Sequence, residues 1–298
     1  MPVPHPETPL GITAQITLLE SQGLLAATHN DQLALGRLLA DNGYSRLAPY
    51  WRHWQADPAH GDKRFLPGTT VAQIADVYAF DATLRHILSE GLARFEIALR
   101  SRLGQEMAMA GATFTYDDPE FYIQPRQGGP VDARQDLFDS MNRELSRSKE
   151  AFITGYTRRG GIPPVWLAAE AFTLSTVSKM YRLLGDQTIR HTVARSFGYP
   201  NARFAETTFQ SLTVLRNICA HHARLWHRAD IQYAPPVLKR LQVDPDKTIY
   251  HRTPWAWMTI LADLVATIDH DDAYPDELWG HADSHCDYVD GLKHPSAA

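Results

Sequence analysis

From Asp81 to Ala110 the chain contains no proline, and Leu84, Ile87, Leu88, Leu92, Phe95 and Leu99 recur at near-heptad spacing before Gly111 ends the run. Such a stripe defines a helix about 45 Å long with one continuous apolar face. A stripe of this kind is more often core than a cofactor site and is read as the helix on which a bundle packs; with the chain reading as helical throughout, the expected fold class is all-α. The remaining segments agree. Helices are predicted over 12–24, 30–42 and 44–55, the second opening after Asn30-Asp31, which can cap it. Asp57-Pro58 and Gly61-Asp62 interrupt, and Thr70 is placed to N-cap a helix over 71–80. Further helices are predicted over 131–158, 165–184 after the break Gly160-Gly161-Ile162-Pro163-Pro164, 187–196, 203–228 and 255–268. Thr113 to Pro130 is a loop, whose Tyr116, Phe121 and Tyr122 are expected to lie on the bundle rather than stack on bases. Residues 1–60 form an N-terminal helical appendage placed to contact RNA or a partner subunit, 61–232 the bundle, and 233–298 a C-terminal helix and an acidic, His-rich tail packing on it.

Chemistry concentrates in Leu215-Arg216-Asn217-Ile218-Cys219-Ala220-His221-His222, followed by Ala223-Arg224-Leu225-Trp226-His227-Arg228. No glycine or proline occurs from Phe209 to Arg228, and Leu212, Leu215, Cys219, Leu225 and Trp226 recur at helical spacing. One helix to Arg228 would stack Asn217 and His221 on one face and continue the row through Arg224 and Arg228, with Arg216 beside it. His222 falls on the apolar stripe and is expected to pack or hydrogen-bond under Trp226. An imidazole titrates near neutrality and can take a proton from an RNA 2′-hydroxyl or give one to the departing 5′ oxygen. A guanidinium stays charged and can bond two phosphoryl oxygens as negative charge builds on them. Arg216 suits that role, His221 the proton transfer, and Asn217 the orientation of the imidazole. One such imidazole per helix leaves the second proton unassigned, which two copies meeting across a homodimer axis would supply.

The motif Leu-Arg-Asn-Ile-Cys-Ala-His-His, then Arg-Leu-Trp, resembles the hallmark of the Abi-like proteins, the AbiD/AbiF family of bacterial abortive-infection proteins in the HEPN superfamily. Other segments are similar in order: Pro9-Leu10-Gly11-Ile12 into Gln15 to Leu19 and Gly23-Leu24; Tyr44-Ser45-Arg46-Leu47 with Tyr50-Trp51; Asp76 to Asp81 with Leu84-Arg85; Phe95 to Arg100; and Pro164-Val165-Trp166, Glu170 and Tyr181. The resemblance implies a dimeric HEPN ribonuclease without a metal or other cofactor, with Arg216 and His221 catalytic and Asn217 as the intervening polar residue. It also implies a role in antiviral defence or as a toxin, some relatives being controlled by a small structured RNA. Glu170, which the resemblance implies is structural or supports the site, is expected to meet an arginine, since burial without a partner would be costly.

A net charge of −5 argues against a general nucleic-acid coat, so phosphate contact must come from local clusters. Arg85, Arg94, Arg100 and Arg102 lie along one predicted helix, and Arg216, Arg224 and Arg228 along another; Arg100, Arg224 and Arg228 are the RNA-binding candidates. DNA is not the expected partner, since the nucleophile is a 2′-hydroxyl. No apolar run approaches the roughly 20 residues of a membrane span, and Met1-Pro2-Val3-Pro4-His5-Pro6 lacks the features of a signal peptide, so a cytoplasmic protein is expected. Two cysteines, Cys219 and Cys286, are too few for a disulfide framework or a cysteine metal site, and Cys219 is expected to pack. Competing readings are a catalytically silent bundle that binds RNA or protein, and a metal-dependent phosphohydrolase built on tail residues His270, Asp271, Asp272, His281, Asp283, His285, Cys286 and Asp287. An acidic flexible terminus explains that tail equally well. A nucleotidyl transferase lacks support, because no glycine-rich phosphate loop is present.

Overall fold

The computed structural model describes residues 9–124, 132–229 and 231–296; Met1 to Pro6 and residues 125–130 of the expected loop lie outside them. The element order is α1 (Ile12–Ser21), α2 (His29–Asn42), α3 (Tyr44–Trp51), a hairpin of β1 (Gln55–Asp57) and β2 (Asp62–Phe65), then α4 (Val71–Met109), α5 (Ala133–Arg147), α6 (Ala151–Thr157), α7 (Val165–Ala171), α8 (Leu174–Leu183), α9 (Gln187–Ser196), α10 (Ala202–Ala220), α11 (Pro254–Asp269), α12 (Ala273–Asp283) and α13 (Cys286–Lys293). The fold is predominantly helical, as expected. Helix α4 is its axis: α7, α9, α10, α11 and α12 all pack on it, and Leu84, Leu88, Leu92, Phe95, Leu99 and Leu103 are buried along it. A second apolar cluster joins α1 to α3 and β2 to the first turns of α4 through Leu19, Leu35, Leu39, Leu47, Trp51, Phe65, Val71 and Ile74. No helix among the described residues is long and apolar enough to cross a membrane.

Several boundaries depart from sequence expectation. The helices expected over 71–80 and from Asp81 onward are one, capped as expected by Thr70 in a capping box with Gln73. The third helix stops at Trp51, and Gln55 begins a strand whose partner is Phe65. The helix expected over 165–184 breaks at Phe172-Thr173. There Arg100 Nε donates to the Phe172 carbonyl at 2.8 Å, and the Glu144 carboxylate accepts from the Thr173 amide at 2.9 Å and from the Thr176 hydroxyl at 2.9 Å. The helix expected over 131–158 divides after Arg147. The aromatic loop lies on the bundle, Tyr116 and Tyr122 being buried. The tail is two packed helices rather than a flexible terminus, with Tyr274, Leu278, Ala282 and Leu292 buried and His281 bonded through Nε2 to the Phe80 carbonyl. Its histidines and carboxylates do not converge, and among the described residues no three potential ligands come together for a metal.

Asp81 in mid-α4 joins three parts of the molecule. Its carboxylate is fully buried and pairs with Arg85 one turn on. It also accepts from the Tyr50 hydroxyl of α3 at 2.6 Å, and from the backbone amides of Leu225 at 3.2 Å and Trp226 at 2.9 Å. A carboxylate out of water persists only when its lone pairs are all used, as here. Asp81→Ala strands Arg85 in the core and frees the two amides. It is expected to destabilise the protein by about 3 kcal/mol or more, read by denaturant unfolding; a change under about 1 kcal/mol contradicts this assignment.

Candidate functional site

The polar motif stands at the C-terminal end of α10. Asn201 caps the start of this helix, its side chain accepting from the Phe204 amide at 2.9 Å, but the helix stops at Ala220 and does not reach Arg228. His221 is the C-cap, and His222 adopts a left-handed conformation, φ +52°. The His222 amide bonds to the Cys219 carbonyl at 3.0 Å and the Ala223 amide to the Ile218 carbonyl at 2.9 Å. This pair of bonds is the Schellman closure that glycine usually makes. No breaker residue causes it. Instead, tertiary contacts hold the chain that follows: Asp81 takes the amides of Leu225 and Trp226, and Arg46 of α3 donates to the His222 carbonyl at 2.6 Å.

The early stop rearranges the expected helical row. Asn217 and His221 remain neighbours one turn apart, both exposed, with the His221 amide on the Asn217 carbonyl at 3.0 Å. Arg216 is beside them with its side chain 42% exposed. Arg224 and Arg228 leave the row. Arg224 turns toward α3 and donates to the Pro49 carbonyl at 2.6 Å, while Arg228 donates to the Arg224 carbonyl at 3.2 Å. His222 is exposed rather than packed, because the left-handed turn swings it off the apolar stripe. Trp226 is buried, though not on α10: it stacks on Trp54 and Tyr50, and its indole N–H donates to the Tyr288 carbonyl of α13 at 3.0 Å. Cys219 is buried, and burial pushes its thiol up to about 12, which leaves it unreactive.

Arg216 is held by a carboxylate the sequence reading gave no role. Glu96 of α4 pairs with Arg100 at 2.5 Å through one oxygen and lies 3.7 Å from Arg216 Nε through the other. Arg100, already on the Phe172 carbonyl, is half-buried and therefore sits behind Glu96 as a brace. Glu170, expected to meet an arginine, is instead exposed on α7 and has no ion-pair partner among the described residues; Glu206 of α10 pairs with Arg190, and along α4 Asp81 and Glu96 pair with Arg85 and Arg100. Both carry an arginine four residues on, the signal that could have found them.

Helix α3 lies along the segment after the motif in register. Arg46 meets His222, Pro49 meets Arg224, Tyr50 and Trp226 stack, and His53 stacks on His227 with ring centroids 3.8 Å apart. Arg46, Pro49 and Tyr50 of α3 and His53 in the 3-10 turn that continues it follow i, i+3, i+4, i+7 spacing, one helical face. Arg224 donates to His53 Nε2 at 3.1 Å, so that nitrogen is an acceptor and the ring is neutral. Burial, then His227, Arg224 and Arg52, hold His53 down to about 3; burial, then Arg224, holds His227 down to about 4.

The description "Abi-like protein" matches residues 37–227, well over half of the chain, from within α2 to the end of the segment against α3. The chain is therefore a predominantly helical protein that belongs to the Abi-like protein family. No curated protein and no solved structure gave a match.

Two outcomes follow from the helix end. A left-handed histidine costs roughly 1 kcal/mol that glycine does not, so His222→Gly should raise stability by up to about 1 kcal/mol in thermal unfolding. A loss of stability would show that the His222 side chain has a packing role after all. For the histidine pair, both folded-state values lie below that of a free imidazole, about 6.5. The unfolded chain therefore binds protons below about pH 6.5 that the folded chain refuses, and stability falls from there down to about pH 4 for His227 and about pH 3 for His53. His53→Phe should flatten that fall in melting temperature; an unchanged slope would remove His53 from the account.

Proposed function

We infer that the chain, as a member of the Abi-like family, acts in abortive infection, a form of phage defence. We propose that this protein serves it as a metal-independent HEPN endoribonuclease whose site is the exposed end of α10. The observation that carries this reading is the placement of Arg216, Asn217 and His221. A guanidinium, an amide and an imidazole face solvent within two turns, at the rim of a bundle whose other arginines nearby are bound to carbonyls or carboxylates. The C-terminal end of a helix is its negative pole, so the backbone offers a phosphate nothing there. Side-chain cations must hold it, and Arg216 is the one beside the imidazole.

In the proposed reaction His221 takes the proton of a ribose 2′-hydroxyl, whose oxygen attacks the adjacent phosphorus. Arg216 meets the charge that builds on the phosphoryl oxygens, and Asn217 orients the imidazole. The bond to the 5′ oxygen breaks, leaving a 2′,3′-cyclic phosphate and a 5′-hydroxyl. The proton for the leaving oxygen comes from the second His221 of a homodimer in which two α10 ends face one RNA. The nucleophile excludes DNA as substrate, and a small structured RNA is the expected regulator. The competing reading is a silent RNA-binding or protein-binding bundle. Glu96 favours it, since its approach to Arg216 offsets part of the charge a phosphate would need.

Purified chain freed of nucleic acid is expected to cut bacterial RNA in EDTA and to leave those ends. His221→Ala and Arg216→Ala should each lower the rate by about 10²-fold or more without changing the melting curve. Cleavage that survives His221→Ala, or that EDTA abolishes, would refute the mechanism; RNA binding without cleavage would favour the silent bundle.

A further inference from the structure

Helix α3 brings a cation to the motif that the sequence leaves far away. Arg46 is exposed, and one of its guanidinium nitrogens donates to the His222 carbonyl at 2.6 Å. Standard backbone dimensions then put that nitrogen within about 9 Å of the His221 Cα. Other arginines stand close by. Burial depresses the Arg224 guanidinium, Arg228 and Arg52 add to this, and Tyr50 and the buried Asp81 oppose it. Arg85, Arg94, Arg100, Arg190 and Arg240 each meet a carboxylate. Arg46, Arg52, Arg224 and Arg228 have no ion-pair partner among the described residues. Packing explains Arg224, which is spent on the Pro49 carbonyl and His53. It does not explain Arg46, which is exposed, uses a single N–H on the protein and keeps the other donors of its planar fork free beside the motif.

We propose that Arg46 is a phosphate-binding residue of the site, supplied by the N-terminal helices, which holds an RNA phosphate adjoining the one placed between Arg216 and His221. The proposal rests on the ribonuclease reading for which phosphate is cut, but not for the contact itself. It gives α3 a purpose beyond packing. The hydrogen bond that ends the helix at His222 also aims the guanidinium, so motif geometry and RNA grip are set by one side chain. Charge, not shape, is what Arg46 contributes here. Lysine should therefore replace it in part, while glutamine, which can still donate to the His222 carbonyl, should not.

The test uses the full chain carrying His221→Ala, so that bound RNA stays intact, and a fluorescein-labelled single-stranded RNA of mixed sequence titrated at several salt concentrations. Adding Arg46→Gln is expected to weaken binding about two- to five-fold and to make the slope of log affinity against log salt shallower by about 0.7, the value of one single-strand phosphate contact. Arg46→Lys should keep the slope. Melting curves of both variants should match the parent. If Arg46→Gln keeps affinity and slope, or if glutamine and lysine lower melting temperature and affinity alike, the residue is only a helix-end brace and the proposal fails. The two readings separate cleanly. Cleavage by wild type with an unchanged Arg46→Gln slope sinks the phosphate contact and leaves the ribonuclease standing, whereas a shallower slope in a chain that never cleaves does the reverse.

Discussion

The buried carboxylate of Asp81 is the contact on which the rest of the arrangement depends. A charged group inside a helical core is costly, and this one is stabilised because it accepts from the Arg85 guanidinium, the Tyr50 hydroxyl and the amides of Leu225 and Trp226. Those four donors come from α4, α3 and the segment after α10. Without the carboxylate the segment would have two bare amides in an apolar environment. Continuing α10 toward Arg228 would satisfy them within the helix, but it would carry Trp226 away from its slot between α3 and α13.

The end of α10 is therefore a tertiary product, and so is the candidate site. Stopping at Ala220 leaves His221 as the C-cap and turns His222 outward, which exposes two imidazoles where a continuous helix would have buried one. The same stop sends Arg224 into the α3 face and removes it from the row of Asn217 and His221. Arg46 enters from the opposite direction in sequence, and Glu96 braces Arg216 from α4. Four elements thus converge on two turns of helix. Arg46, Arg216 and Arg224 are each tied to a backbone carbonyl or a carboxylate that belongs to a different element.

A division of labour among charges runs through the molecule. Arg85, Arg100 and Arg190 within the bundle are neutralised locally by acids, one helical turn away or on the facing helix, and serve packing. Those around the segment after the motif are not, and the two histidines among them stay neutral instead of adding to the positive charge. The overall net charge is negative, so this group of arginines without ion-pair partners among the described residues is a local exception. In an Abi-like protein a group of that kind, bordering the polar helix end, is consistent with an anionic polymer as ligand.

The amino-acid sequence alone determined that the chain is helical, that α4 is its axis, and that Arg216, Asn217 and His221 lie close together, because apolar spacing and i, i+4 neighbours are local properties of a helix. Caps such as Thr70 were legible for the same reason. Breaks made by partners were not. Glu144 and Arg100 hold open the α7–α8 junction, and Asp81 and Arg46 end α10 where no glycine or proline does. Only the tertiary structure decided that Glu170 stays in solvent while Glu96 takes Arg216, that Arg224 is spent on packing, and that an arginine from α3 stands before His221. Each of these is a hydrogen bond or ion pair between residues distant in sequence, and local periodicity carries no information about which distant donor will find which acceptor.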